Sequence, residues 1–315
     1  MTTKPRAEAW TTRRLLNWIG GALTEKGIDS PRLCAEMLVA HVLGCERLKL
    51  YMDPDRPASP LERDQLRGLV KRALAHEPIQ YLVGEAWFFG MALEVDKRVL
   101  IPRQCTQVIV EAVIDHSRST PGFGGHRDGD GILIADVCTG SGAIAIALAK
   151  QLPGARLVAT DISPGALELA RTNAARHGVE GRIDFLEGDL LAPLSEHPAT
   201  RGAGSLHYLV ANPPYIPDDE WEAVEANVRE HEPEIALRAG VDGLDLVRPL
   251  LEKGARLVRP GGLVLVEVAA SRAREAARIA ESVGELTNVE IRKDQEGLER
   301  VVRASRAGRS GIAVS

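Results

Sequence analysis

Between residues 132 and 268 the chain alternates short apolar runs with segments of helical period, and no other feature limits its architecture as much. Ile132–Ala135, Arg156–Thr160, Arg182–Leu186, Leu206–Ala211 and Leu263–Val268 read as strands. Ala143–Leu152 reads as an apolar helix, and Ser163-Pro164 opens another that reaches His177 before Gly178. Runs such as Leu206–Ala211 lack a polar face, so both sides of the strand need covering. Alternating strands and helices satisfy that need as a doubly wound α/β fold, a mostly parallel sheet with helices on both faces. Such sheets bind ligands outside the carboxyl ends of their strands.

The polar residues cluster at those strand ends. Asp136-Val-Cys138-Thr139-Gly140-Ser141-Gly142 lies where a first strand turns into a helix, and its small residues let a ligand approach the backbone and the helix N-terminus. Its spacing is not the dinucleotide fingerprint. The next strand ends at Asp161, where a carboxylate can accept hydrogen bonds from both hydroxyls of a ribose. Alone, Asp161 reads equally well as a cap for the helix that follows. Gly188-Asp189-Leu190 puts a further acceptor after the third strand, or a simple turn.

Asn212-Pro213-Pro214-Tyr215 follows the Leu206–Ala211 run directly. Two prolines fix two φ angles and remove two N–H donors, leaving carbonyl oxygens in a rigid turn. Asn212 adds a side-chain acceptor and Tyr215 a flat ring. The set suits a planar group carrying an NH2, held at its hydrogens and on its face. An Asn-Pro turn by itself is common, but here it completes a series of polar strand ends.

Upstream the signals are helical. Leu15, Ile19 and Leu23 repeat at helical spacing before Gly27. Ser30-Pro31 starts a helix carrying Met37, Leu38, Val42 and Leu43, which Gly44 can stop. Ser59-Pro60-Leu61-Glu62 has capping-box spacing ahead of Leu66, Leu69, Val70, Ala73 and Leu74. Aromatic and β-branched residues around Gly90 predict a hairpin or extended connector over about residues 86–101. Ser117–Gly131 and Ala192–Ser205 read as surface loops, and the tail after Ala304 as frayed. At 315 residues the chain is expected to hold two domains, on a length of roughly 100–200 residues each.

The net charge of −5 argues against a protein that wraps nucleic acid, which needs concentrated Lys and Arg. Cys34, Cys45, Cys105 and Cys138 show no metal-ligand spacing, and the eight histidines are scattered, so no metal site is expected. No signal peptide or membrane span is apparent. These features predict a cytoplasmic protein with reduced thiols.

Glu77-Pro-Ile-Gln-Tyr81, Phe89-Gly90, Val99-Leu-Ile-Pro-Arg103, Glu232-Pro with Ala236-Leu237, Asp242-Gly-Leu-Asp245, Pro260-Gly-Gly262 and Glu299-Arg-Val-Val302, with the strand-end residues, resemble the release factor glutamine methyltransferase family from about residue 10 to 304. The resemblance implies a class I methyltransferase fold with seven strands. It implies a helical substrate-recognition domain over 1–84 and a S-adenosylmethionine-dependent methyltransferase domain over 85–315. Cofactor binding is implied for Cys138, Thr139, Gly140, Ser141, Gly142, Asp161, Asp189, Leu190 and Asn212. Asn212, Pro213, Pro214 and Tyr215 would hold the substrate, the glutamine amide of the Gly-Gly-Gln tripeptide in peptide chain release factors, with Asn212 Oδ1 and the Pro213 carbonyl accepting its two hydrogens. The protein partner is then a release factor, with no direct contact to nucleic acid.

The chain departs from the family where Gln104-Cys105-Thr106-Gln107 replaces a segment usually bearing two carboxylates, where Cys138 stands for the first glycine of the cofactor turn, and at Ala269 and Arg272. Three other activities share parts of this pattern: glutamine methylation of a ribosomal protein, adenine methylation, and release-factor binding without catalysis. The acidic chain, lacking a basic recognition stretch, disfavours the adenine reading.

Overall fold

The structure, a computed structural model, describes residues 9–123 and 128–308. Two compact units emerge, one running to Glu85 and including Glu225–His231, the other comprising Ala86–Val224 and the chain from Glu232.

The first unit is helical, with α1 (Thr12–Glu25), α2 (Pro31–Leu43), α3 (Lys49–Met52), α4 (Pro60–Ala73) and α5 (Ile79–Val83). Thr11 caps α1 by accepting from the Arg14 amide, and Ser59 and Glu62 close a reciprocal capping box on α4. Leu15, Ile19 and Leu23 pack with Leu38, Val39, Leu66 and Val70 in one core. Each such side chain stabilises the unit by roughly 1.5–3 kcal/mol. On α2 the inward face is Ala35, Leu38 and Val39, while Met37, Val42 and Leu43 are only half-buried. Ser30 precedes Pro31 at a left-handed φ of 49°, and its hydroxyl makes no cap bond.

The second unit opens with a hairpin of β1 (Glu85–Phe88) and β2 (Met91–Glu94). Phe89 and Gly90 both have positive φ, 48° and 73°, as a two-residue turn matched to the strand twist requires. There follow α6 (Gln107–Ser119), β3 (Leu133–Val137), α7 (Ala143–Gln151), β4 (Arg156–Asp161), α8 (Pro164–Arg176), β5 (Ile183–Glu187), α9 (Ala192–Glu196), β6 (Leu206–Ala211), β7 (Val258–Glu267), β8 (Leu286–Lys293) and β9 (Glu299–Arg306). The seven-stranded sheet has the order β5-β4-β3-β6-β7-β9-β8. Its first five strands pair in parallel, and β9 pairs antiparallel with both β7 and β8.

Alternate residues of the strands enter different cores, which explains runs with no polar face. Ile134, Tyr208, Val210 and Leu265 join one core with α6 and α7. Val137, Leu209, Val264 and Val266 join another with Leu250, Leu251 and Ala276 from helices Val247–Glu252 and Ala273–Ser282. Chain order reverses between β3 and β6, so the crevice expected of such sheets opens at their carboxyl ends.

Some expectations are corrected. Ala192–Ser205 is no plain surface loop, because α9 forms within it and anchors on the fully buried Leu194. Ser117 belongs to the last turn of α6, where it is buried and its hydroxyl donates to the Ile114 carbonyl at 2.8 Å. Residues 124–127 of that stretch lie outside the described residues. The chain after Ala304 does not fray at once: β9 continues to Arg306, and Ala307 N–H donates to the Glu285 carbonyl. The remainder from residue 309 lies outside the described residues. No helix among the described residues is long and apolar enough to cross a membrane.

Candidate active site

Four successive strand ends build one site. At the end of β3 the Asp136 carboxylate accepts from the Thr139 hydroxyl at 2.6 Å and from the Ala145 amide at 3.1 Å, tying the turn to the start of α7. Complete burial pushes the Asp136 carboxyl up to about 7. Gly142 turns the chain at φ 82°, and a Cβ there would meet Ile146 and Ala170 at 3.0 and 3.2 Å, so any side chain would be strained. Asp161, at the end of β4, grips the turn from the other side. Its two oxygens accept from Gly140 N–H at 2.8 Å and Ser163 N–H at 2.9 Å. After β5, Leu190 adopts φ 46° and its carbonyl accepts from the Thr160 hydroxyl at 3.1 Å.

β6 delivers Asn212. Its Nδ2 donates to Thr106 Oγ1 at 3.3 Å, leaving Oδ1 buried without a hydrogen-bond partner among the described residues. The following turn is held by Tyr215 and Ile216 amides donating to the Leu237 carbonyl. The Tyr215 hydroxyl donates to Glu267 Oε1 at 3.2 Å, at the end of β7.

A cavity of about 520 Å³ joins these loops, within the roughly 300–1,000 Å³ usual for small-molecule sites. Cys138, Thr139, Gly140, Ser141, Asp161, Asp189, Leu190, Asn212 and Pro214 line it; Gly142, Pro213 and Tyr215 do not. Gly142 shapes the turn from behind, and Tyr215 directs its hydroxyl inward to Glu267. The cavity also takes Arg98, Val99, Leu100, Pro102, Thr106, Ile162, Ile235 and Leu246, which the strand-end reading did not single out as site residues. Asn173 was missed entirely. Fully buried on α8, it accepts from Glu94 N–H and donates to the carbonyls of Glu94 and Ser141, linking the hairpin to the glycine-rich turn.

Cys138 sits in the turn at φ 60°. Burial, and then Asp161, Asp136 and Asp189, push its thiol far above the ordinary range, so it is no thiolate nucleophile.

Two family models match the chain: the PrmC N-terminal domain over residues 14–84 and a methyltransferase domain over 134–231. A release factor glutamine methyltransferase of Geobacter sulfurreducens is 39% identical over 96% of this chain and 98% of its own length. Its counterpart from Chlorobaculum tepidum is 40% identical over 94% of this chain and 97% of its own length. The chain belongs to the release factor glutamine methyltransferase family. A solved release factor-specific protein-(glutamine-N5) methyltransferase from Alicyclobacillus acidocaldarius is 29% identical, covers 69% of this chain and 100% of its own, and superposes with a TM-score of 0.41.

The cofactor of this methyltransferase is S-adenosylmethionine. The site suits it. Carboxylates at two strand ends offer acceptors for ribose hydroxyls and for an adenine amine, Val99, Ile144, Ile162 and Leu190 wall the cavity with apolar surface, and the small residues of the turn leave backbone within reach.

Proposed function

We propose that this protein methylates the side-chain amide nitrogen of the glutamine in the Gly-Gly-Gln tripeptide of peptide chain release factors. One observation carries this reading. Asn212 lines the cavity that would hold the cofactor, and its carbonyl oxygen is buried without a partner among the described residues, an acceptor that a substrate N–H would satisfy on binding.

When bound, S-adenosylmethionine supplies an electrophilic methyl group on a positively charged sulfur. Cys138, Thr139, Gly140 and Ser141 would hold its methionine part on the turn that Gly142 shapes from behind, Asp161 its ribose, and Asp189 with Leu190 its adenine. An amide nitrogen is a poor nucleophile because its lone pair is delocalised into the carbonyl. Asn212 Oδ1 and the Pro213 carbonyl accept its two hydrogens, which fixes the amide plane and with it the axis along which the lone pair stands. Fixing a reactant in this way supplies roughly 7–11 kcal/mol of a barrier. No base has to act first, since the proton can leave the nitrogen after transfer. Tyr215, turned inward to Glu267, and the Pro213-Pro214 pair keep the turn rigid.

The helical unit, matched by the PrmC N-terminal model, serves to select the protein substrate, because one glutamine offers far less surface than a stable protein contact buries. Release factors work in translation, so this reading implies a cytoplasmic enzyme.

Transfer of labelled methyl to purified release factor tests the proposal. Asn212→Ala is expected to lower turnover by about 100-fold or more, the scale on which loss of one preorganised polar contact acts. A release factor whose tripeptide glutamine is replaced should accept nothing. Label appearing on that acceptor, or turnover surviving in Asn212→Ala, would overturn the assignment, and ribosomal protein or DNA as the better acceptor would replace it.

A further inference from the structure

Behind the Asn212 carboxamide lies a group of side chains with no part in the reaction described so far. Thr106 is 4% exposed and Glu267 fully buried. Asn212 Nδ2 donates to Thr106 Oγ1 at 3.3 Å, and the Tyr215 hydroxyl donates to Glu267 Oε1 at 3.2 Å. The Thr106 hydroxyl also counters the upward push that burial gives the Glu267 carboxyl, whose Oε2 is buried without a hydrogen-bond partner among the described residues. Cys105 Sγ also approaches Glu267 Oε1, at 3.8 Å. The sheet register produces this meeting: Ala211 pairs with Val266, so Asn212, just past the end of β6, follows on beside Glu267, the last residue of β7, which pairs on its other side with Val301.

Counting protons gives the group a direction. A threonine hydroxyl has one hydrogen and can accept at its lone pairs. Accepting from Asn212 leaves its own hydrogen free to turn toward Glu267, whose Oε2 is the acceptor buried without a partner. Burial pushes the Glu267 carboxyl above the usual carboxylate range, yet it retains an acceptor oxygen in either protonation state. The two faces of an asparagine carboxamide are nearly the same in shape, so hydrogen bonding alone chooses between them. With the carboxamide inverted, Nδ2 would point where a substrate NH2 must sit, donor against donor.

We propose that Thr106 and Glu267 form a positioning relay that holds the Asn212 carboxamide with Oδ1 as its free acceptor, while the same carboxyl anchors the Tyr215 hydroxyl. Thr106 and Glu267 are positioning residues, acting through Asn212 and Tyr215 rather than on the transferred group. The relay rests on the glutamine reading above.

Kinetics of the full-length protein with purified release factor test it. Thr106→Val keeps the shape of the side chain and removes the hydroxyl. It is expected to lower kcat by about 10- to 100-fold, the cost of misplacing a reacting group. KM for the release factor should stay within about threefold, because contacts made equally in ground and transition states are kept. Thr106→Ser should recover most of the lost kcat. In an Asn212→Ala background Thr106→Val should cost less than about twofold more, since two residues acting as one unit are not additive.

Turnover retained in Thr106→Val, or losses that multiply in the double variant, would overturn the relay while leaving the glutamine reading in place. Thr106→Ala is measured by the same cycle should Thr106→Val fail to fold. A wild-type protein that binds the cofactor and transfers no methyl to release factor overturns the glutamine reading and the relay with it.

Discussion

Cys138 and Leu190 hold φ of 60° and 46° and both line the cavity. A non-glycine residue in that region costs about 1–2 kcal/mol, and such strain collects where a ligand has to be gripped. Asp161 offsets part of it by binding two amides of the surrounding loops. Asp161→Ala leaves both amides without their acceptor. Hydrogen bonds to a charged group are worth about 1.5–3 kcal/mol each, so the Kd for S-adenosylmethionine should rise at least about 10-fold by calorimetric titration. A change under about threefold would mean that Asp161 shapes the turn without touching the ligand. Asp161 and Asn212 were legible because each directly follows an apolar run. Thr106 and Asn173 were not: they act on partners 106 and 79 positions away, and no local pattern marks them.

At the scale of elements, α8 joins the hairpin to the sheet. Asn173 bridges Glu94 and Ser141, and His177 Nε2 lies 2.8 Å from the Ala92 carbonyl. Asn173→Ala strands buried backbone groups on both sides, which should lower unfolding free energy by about 2–4 kcal/mol in urea titration and weaken cofactor binding through the Ser141 turn. Stability unchanged to within about 0.5 kcal/mol would show that the hairpin docks by apolar contact alone. The parallel strands could be read because burial on both faces leaves uninterrupted apolar runs. β8 and β9 escaped the periodicity because charges such as Glu290, Arg292 and Arg303 interrupt their apolar residues. Glu290 and Arg303 pair at 2.9 Å, and a charged edge strand such as β8 protects the sheet from further pairing.

At the scale of the molecule, the sheet unit carries a pH response far from the cavity. His207 packs against Phe123, and two donors face its ring: Leu133 N–H at 3.1 Å from Nδ1 and the Arg259 guanidinium at 2.8 Å from Nε2. Burial first, and then Arg259, lower its pKa from 6.5 to about 4. The unfolded ring takes up a proton below about 6.5 and the folded ring only near 4, so stability is full above that window and lost as pH falls through it. At about 1.4 kcal/mol per pH unit, the loss reaches at most about 3 kcal/mol. Burial of His116, with Arg303 nearby, adds a response of the same sign, whereas the raised Asp136 carboxyl opposes both. Comparing wild type with His207→Gln isolates the imidazole: unfolding free energy should fall less between pH 7 and pH 4.5 in the variant. Equal slopes would remove His207 from the account.

The sequence by itself determined the α/β architecture, the helical first segment and the row of acceptors at strand ends, because apolar period and turn chemistry are properties of neighbouring residues. Tertiary structure alone decided which of those acceptors are left without a partner, that β9 slots between β7 and β8, and that Thr106 meets Asn212 while Glu267 meets Tyr215. The reason is physical: a hydrogen bond between distant residues depends on the order and register of the strands that carry them, and these follow from packing the whole sheet at once.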